Sequence, residues 1–148
     1  MRVVVQRVKK ASCLVDDNIT GQIKKGFLLF IGFKSDDTKL ESDKILKKVI
    51  GLRIFEDENG KMNKSLSDVK GEILAISQFT LYADCKHGNR PSFTQAMKYD
   101  QAISYYESFC KALEDNGYKV FRGIFGADMK IELINDGPVT IILDSDEL

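Results

Sequence analysis

Near the C-terminus, Asn135-Asp136-Gly137-Pro138-Val139-Thr140 separates two apolar runs, Met129 to Ile134 and Val139 to Leu143, and this arrangement constrains the fold more than any other stretch. Two such runs around a glycine-containing turn predict a β-hairpin. The proline removes one ladder donor, and the glycine before it admits backbone angles that few other residues tolerate. The pair reads either as a stiffened turn or as a corner that presents main-chain atoms outward in a fixed pose.

At 148 residues and 43% hydrophobic, the chain suffices for one compact core, and we expect a single domain over residues 1–148. Lys plus Arg and Asp plus Glu balance at 22 each, so a nucleic-acid partner would have to be met by a local basic patch. Cys13, Cys85 and Cys110 are odd in number and widely spaced, which argues against a disulfide framework and a zinc site. No stretch approaches the roughly 18 apolar residues of a membrane span. Met1-Arg2 leads straight into Val3-Val4-Val5, unlike a secretory leader, so a cytoplasmic location without membrane association is expected.

The N-terminal third reads as a meander: Arg2 to Val8 is β-branched, and Ser12 to Val15 and Ile19 to Ile23 flank a turn at Asp16-Asp17-Asn18. Arg7, near the end of the first strand, reads as a solvated charge. The unbroken run Phe27 to Ile31 is that of a strand covered on both faces. Ser35-Asp36-Asp37 offers N-cap oxygens to an amphipathic helix with Leu40, Ile45, Leu46, Val49 and Ile50 inward, ending near Gly51. Leu52 to Phe55 is a short strand, Glu58-Asn59-Gly60 a turn, and Lys61 to Lys70 a surface loop.

Glu72 to Tyr82 starts as a buried strand and turns polar without a break, placing Ser77 and Phe79 on one face and Gln78 and Thr80 on the other. Polar groups there must be paired or line a pocket. Lys86, His87 and Arg90 share the loop Asp84 to Pro91 and could contact phosphate. Ala102, Ile103, Tyr106, Phe109, Cys110 and Leu113 form one helical face, stopped by Asn116-Gly117. A strand at Tyr118 to Phe121, a loop at Gly123 to Ala127 and the C-terminal hairpin complete the chain.

One histidine without clustered acids gives no metal site, and no glycine-rich nucleotide loop is present, so neither metal nor cofactor is expected. A Ser/His hydrolase would need His87 to reach Ser77 or Thr80. Otherwise the strand end supplies backbone groups and neutral hydroxyls, which can bind an ester and stabilise its oxyanion without a strong side-chain base.

Taken together, Ser77-Gln78-Phe79-Thr80-Leu81-Tyr82-Ala83, Gly88-Asn89-Arg90-Pro91-Ser92-Phe93, Phe125-Gly126-Ala127-Asp128-Met129 and Asn135 to Thr140 resemble the signature blocks of the D-aminoacyl-tRNA deacylases, also called D-tyrosyl-tRNA deacylases. Leu52 to Asp57 and Gly60 to Asn63 extend the resemblance over essentially the whole chain. It implies a mixed α/β fold, with layered β-sheets and two main helices packed on one side. It also implies a homodimeric hydrolase that frees D-amino acids from tRNA, a proofreading step in translation, with active sites at the subunit interface.

Carried over by position, Ser77, Gln78, Phe79 and Thr80 form the catalytic pocket, and Gly137-Pro138 is a cis dipeptide inserted into the partner's site to exclude L-residues. Arg7 matches the position that secures the inserted motif, and Phe125, Ala127 and Met129 fall in the segment near the terminal adenine. Lys86, His87 and Arg90 remain the candidates for RNA contact. Two other readings stay open: a conventional Ser/Thr esterase acting on a small ester, and a non-catalytic RNA-binding module.

Overall fold

The computed structural model describes residues 1–148. In chain order the elements are β1 (Arg2–Val15), β2 (Asn18–Ile23), β3 (Gly26–Gly32), α1 (Lys39–Gly51), β4 (Phe55–Glu56), β5 (Met62–Lys64), β6 (Glu72–Ser77), a 3-10 turn at Phe79–Tyr82, α2 (Tyr99–Asp115), β7 (Val120–Arg122) and β8 (Lys130–Asp144), with a last 3-10 turn at Ser145–Glu147. Six strands form one mixed sheet, β2-β1-β3-β6-β7 with β8 also on β1, and β4 pairs with β5 separately.

Strand β3 is parallel to β6, and β6 to β7. Parallel neighbours need crossovers; α1 lies on the first and α2 on the second. Because the order β3-β6-β7 advances in one direction, crossovers of one hand put both helices on the same face. That face carries the larger core, where Val3, Val5, Phe27, Leu29 and Ile31 meet Ile45 and Val49 of α1 and Tyr106, Phe109 and Leu113 of α2. The other face holds Val8, Ala11, Cys13, Ile23, Leu28, Leu74 and Ile76, packed under Met129, Ile131 and Leu133. Phe27 to Ile31 is thus covered on both faces, as its composition predicts.

The stripe expected on α2 is its buried face. For α1 the N-cap is Thr38, three residues beyond Ser35, where the cap signal begins. The Thr38 main-chain N–H and hydroxyl donate to Glu41 at 2.8 and 2.6 Å. Leu40, placed inward by periodicity, is exposed beside that cap.

The C-terminal hairpin does not exist. Strand β8 runs on in one direction, and both of its halves pair with β1: Ala11 faces Leu133, Val8 faces Asn135, Gln6 faces Thr140 and Val3 faces Leu143. Between Asn135 and Thr140, four residues of β8 oppose only Arg7, so Asp136 to Val139 bulges from the sheet instead of reversing the chain. The hydrophobic pattern of two short strands fits this equally well, because a long partner, β1, was available to hold both.

Smaller differences have local causes. Arg2 to Val15 is one strand rather than two, since it pairs with β3 from Arg2↔Gly32 and with β2 on to Val15↔Asn18. The short strand near residue 52 is confined to Phe55–Glu56, paired with a strand inside the expected loop at 61–70. The strand expected over 118–121 covers Val120–Arg122, in register with Ile73 to Ala75.

Candidate active site

The polar end of β6 is where the fold opens. The strand stops at Ser77, and Phe79–Tyr82 winds into a 3-10 turn, so the period-two assignment of Phe79 and Thr80 to opposite faces fails beyond that point. The Gln78 N–H still donates to the Ile31 carbonyl at 2.7 Å, which fixes the start of the turn to β3. From the other side, Arg2 donates from Nη1 to the Leu81 carbonyl at 2.8 Å while its Nε and Nη2 bind Asp144 at 2.8 and 2.6 Å. Burial works against ionisation of Asp144, but the bonds and charge of Arg2, the Asp146 main-chain N–H and the N-terminal ammonium together outweigh it and hold the carboxyl below its ordinary value.

A cavity of about 510 Å³ lies against this turn. Ser77, Gln78 and Phe79 line it from one side and Phe125, Ala127 and Met129 from the other, so six of the residues marked in the sequence are brought together. Thr80 is exposed and does not line it; its hydroxyl accepts from the Gln78 side-chain amide at 2.5 Å. The walls are aromatic: Phe79 meets Phe93 edge-on at 5.0 Å, and Tyr99 meets Phe125 edge-on at 5.2 Å.

Tyr99, Phe33 and Met97 also line the cavity without a mark in the sequence, together with Gly126 from the Phe125 to Met129 block. Tyr99 opens α2 ahead of the apolar stripe and is 58% exposed, and nothing in its sequence position marks it as part of a cavity wall. A Cβ at Gly126, which has φ +78°, would come within 2.7 Å of that ring. Tyr99 is the only ionisable residue in the lining. His87 lies on the exposed 84–92 loop, makes no hydrogen bond to Ser77 or Thr80 and does not reach the cavity; Lys86 and Arg90 are exposed on the same loop. The Ser/His pair of a conventional hydrolase is absent, and the arrangement suits a reaction run by hydrogen-bonding dipoles on a labile bond.

Arg7 is not a solvated charge. It is 5% exposed, donating from Nε to the Asp136 carbonyl at 2.9 Å and from Nη1 to the Ile54 carbonyl at 2.7 Å. The Asn135 side-chain amide donates to the Arg7 and Val139 carbonyls at 3.2 and 3.0 Å, tying the bulge across its base. The bulge is therefore held at both shoulders. At its tip the Gly137–Pro138 bond is cis, Gly137 has φ +128°, and both residues are exposed. Neither Gly137, Pro138 nor Arg7 lines the cavity of its own chain.

The sequence description of D-Tyr-tRNA(Tyr) deacylases matches residues 4–144. A protein of Thermotoga petrophila named D-aminoacyl-tRNA deacylase is 52% identical over 148 residues, covering 100% of this chain and 99% of that one. One of the same name from Clostridium botulinum is 55% identical over 145 residues, covering 98% and 97%. Among solved structures, the c-Myc DNA unwinding element binding protein superposes with a TM-score of 0.92 at 41% identity, covering 97% of this chain and 98% of that chain. A probable eukaryotic D-amino acid tRNA deacylase superposes with a TM-score of 0.84 at 20% identity, over 96% and 97%, a likeness of fold.

Proposed function

The chain belongs to the D-Tyr-tRNA(Tyr) deacylase family and is a D-aminoacyl-tRNA deacylase, a hydrolase of carboxylic esters, and from that premise we propose that it selects D-residues with main-chain atoms lent across a homodimer. The observation that carries this reading is the mismatch between cavity and corner: Gly137-Pro138 is rigidly held, exposed and outside its own cavity. In a two-fold dimer each corner enters the partner's cavity, and one surface serves twice. Strand β8 pairs on one side only, and Ile134 and Ile142, bracketing the corner, are 47% and 66% exposed, as suits a strand that meets a second copy.

In this arrangement the carbonyls of the corner accept the substrate's α-ammonium, and the space on the L side is closed by main chain. Chirality is tested by exclusion, so the D-side chain needs no dedicated pocket. Phe125 to Met129 and the aromatic walls receive the terminal adenine, whose π-face stacks on such rings. The first N–H groups of the 3-10 turn at Phe79 have no acceptor inside it and suit the developing oxyanion. Water attacks the ester, the 2′-hydroxyl of the terminal ribose assists, and Ser77 and Thr80 position the ester without forming an acyl intermediate. Lys86, His87 and Arg90 contact the tRNA backbone. Residues 1–148 act as one domain in the cytoplasm, where aminoacyl-tRNA is made; no helix is long and apolar enough to cross a membrane.

Matched D- and L-aminoacyl-tRNAs and a simple aryl ester test this. The expected result is release from the D-aminoacyl-tRNA alone; hydrolysis of the aryl ester at a similar rate would favour the conventional esterase. Ser77→Ala and Thr80→Val should each keep D-specific turnover within about tenfold of the unsubstituted protein, the value of one neutral hydrogen bond. Complete loss in either, with folding and tRNA binding intact, would make that hydroxyl the nucleophile.

A further inference from the structure

Strand β1 and the stretch β2–β3 that folds back on it as a hairpin both lose their alternation at the same place. Val8, Ala11 and Cys13 all enter the smaller core, as do Ile23 and Leu28, so an extra residue is accommodated at 9–10 and again at 24–25. Val8 pairs with Gly26 and Ala11 with Ile23, which leaves Lys9 and Lys10 opposite Lys25 and Lys24 with no ladder pair between them. All four lysines are exposed. None of their ammonium groups is within ion-pair distance of a carboxylate; the same holds for Lys44, Lys47, Lys48 and Lys61, but those are not set across a strand pair from one another. The nearest engagements are indirect: Lys25 Nζ sits 5.4 Å from the Phe55 ring centroid, and Glu72 accepts only the main-chain N–H of Lys24.

Like charges directly across a strand pair destabilise it, and this chain of zero net charge gathers four of them without a counter-ion of its own. Their position gives that cost a use. On its other edge β1 pairs Val8 with Asn135 and Lys10 with Ile134, so the cluster stands at the base of the Asp136–Val139 bulge, just beyond Arg7. If the corner enters the partner's cavity, as proposed above, these lysines flank the mouth of that cavity.

We infer that Lys9, Lys10, Lys24 and Lys25 form a binding surface for the sugar-phosphate backbone of the tRNA whose 3′ end occupies the partner's site. The inference rests on the corner acting in the partner. The lysines act as point charges on phosphate and carry no base specificity.

The test is the salt dependence of binding to deacylated tRNA. It compares the unsubstituted protein, a quadruple Lys9→Gln, Lys10→Gln, Lys24→Gln, Lys25→Gln variant, and a control with the same charge removed elsewhere by Lys44→Gln, Lys47→Gln, Lys48→Gln and Lys61→Gln. Each phosphate left unneutralised lowers the slope of log K against log salt by about 0.7–0.9, so loss of all four charges should make the hairpin variant's slope smaller by about 3 to 3.5 and its binding at least about tenfold weaker near 0.1 M salt. It should melt at or above the temperature of the unsubstituted protein, because repulsion is relieved, and the four-fold Lys→Arg variant should keep the original slope. A hairpin variant with unchanged affinity and slope, or one matched by the control, would overturn the inference. Cleavage of a D-aminoacyl ester of adenosine by the unsubstituted protein reads the deacylase assignment separately, since that substrate lacks the tRNA phosphates.

Discussion

Gly137→Ala should lower single-turnover hydrolysis of D-aminoacyl-tRNA by about 100-fold, the loss that a displacement of order 1 Å brings to a positioned site. A Cβ at this residue would lie 2.8 Å from Arg7 Nη2 and 2.9 Å from Val139 Cγ2, and φ of +128° is a conformation L-residues rarely adopt. Arg7 cannot yield, because its guanidinium is already committed to two carbonyls, so the corner must move. The strain is about 1–3 kcal/mol and should appear as a fall of only a few degrees in the melting temperature. Deacylation within a few-fold of the unsubstituted protein would remove the corner from the site.

Removal of the support from beneath the corner should act in the same direction with a larger cost to stability. Arg7→Ala leaves the Asp136 and Ile54 carbonyls without their donor, at about 1–3 kcal/mol for each group that stays dry. We expect the midpoint of thermal unfolding to drop by roughly 5–10 °C and D-aminoacyl-tRNA hydrolysis to fall by between about 10- and 100-fold at temperatures where the variant is folded. Arg7→Lys keeps the charge but not the fork, and should recover only part of either loss. The carboxylates of Glu56 and Asp136, both 4.0 Å away, are too distant to hold the corner through Arg7 in place of those bonds. Undiminished turnover in folded Arg7→Ala would show that the corner holds its pose without the arginine.

What could be read from the sequence was what depends on periodicity and on local signals. The α2 stripe from Ala102 to Leu113 and the double-sided burial of Phe27 to Ile31 follow from spacing alone. The role of Arg7 was hidden because burial of a guanidinium depends on carbonyls from residues 54 and 136, which no local pattern reveals. The hairpin predicted at Asn135 to Thr140 differs from the single strand β8 for a similar reason: two apolar runs around Gly-Pro look alike whether they pair with each other or both with β1. The 3-10 turn after Ser77 breaks a strand pattern because Gln78 is tied to Ile31 and Leu81 to Arg2, again distant partners. Tyr99 is not legible as a wall residue, since an aromatic at a helix start carries no signal of the loop at Gly126 that folds against it.

The central claim is that the corner of one subunit completes the cavity of the other. It is tested most directly by activity in a purified mixed dimer. One subunit carries Gly137→Ala, with an intact cavity; the other carries Ala127→Trp, with a filled cavity and an intact corner. If the corner acts in the partner, the mixed dimer has one complete site and should hydrolyse D-aminoacyl-tRNA at half the rate of the unsubstituted dimer, although the homodimer of either variant is nearly inactive. If the mixed dimer is as inactive as those two homodimers, the corner serves its own chain and the account is wrong.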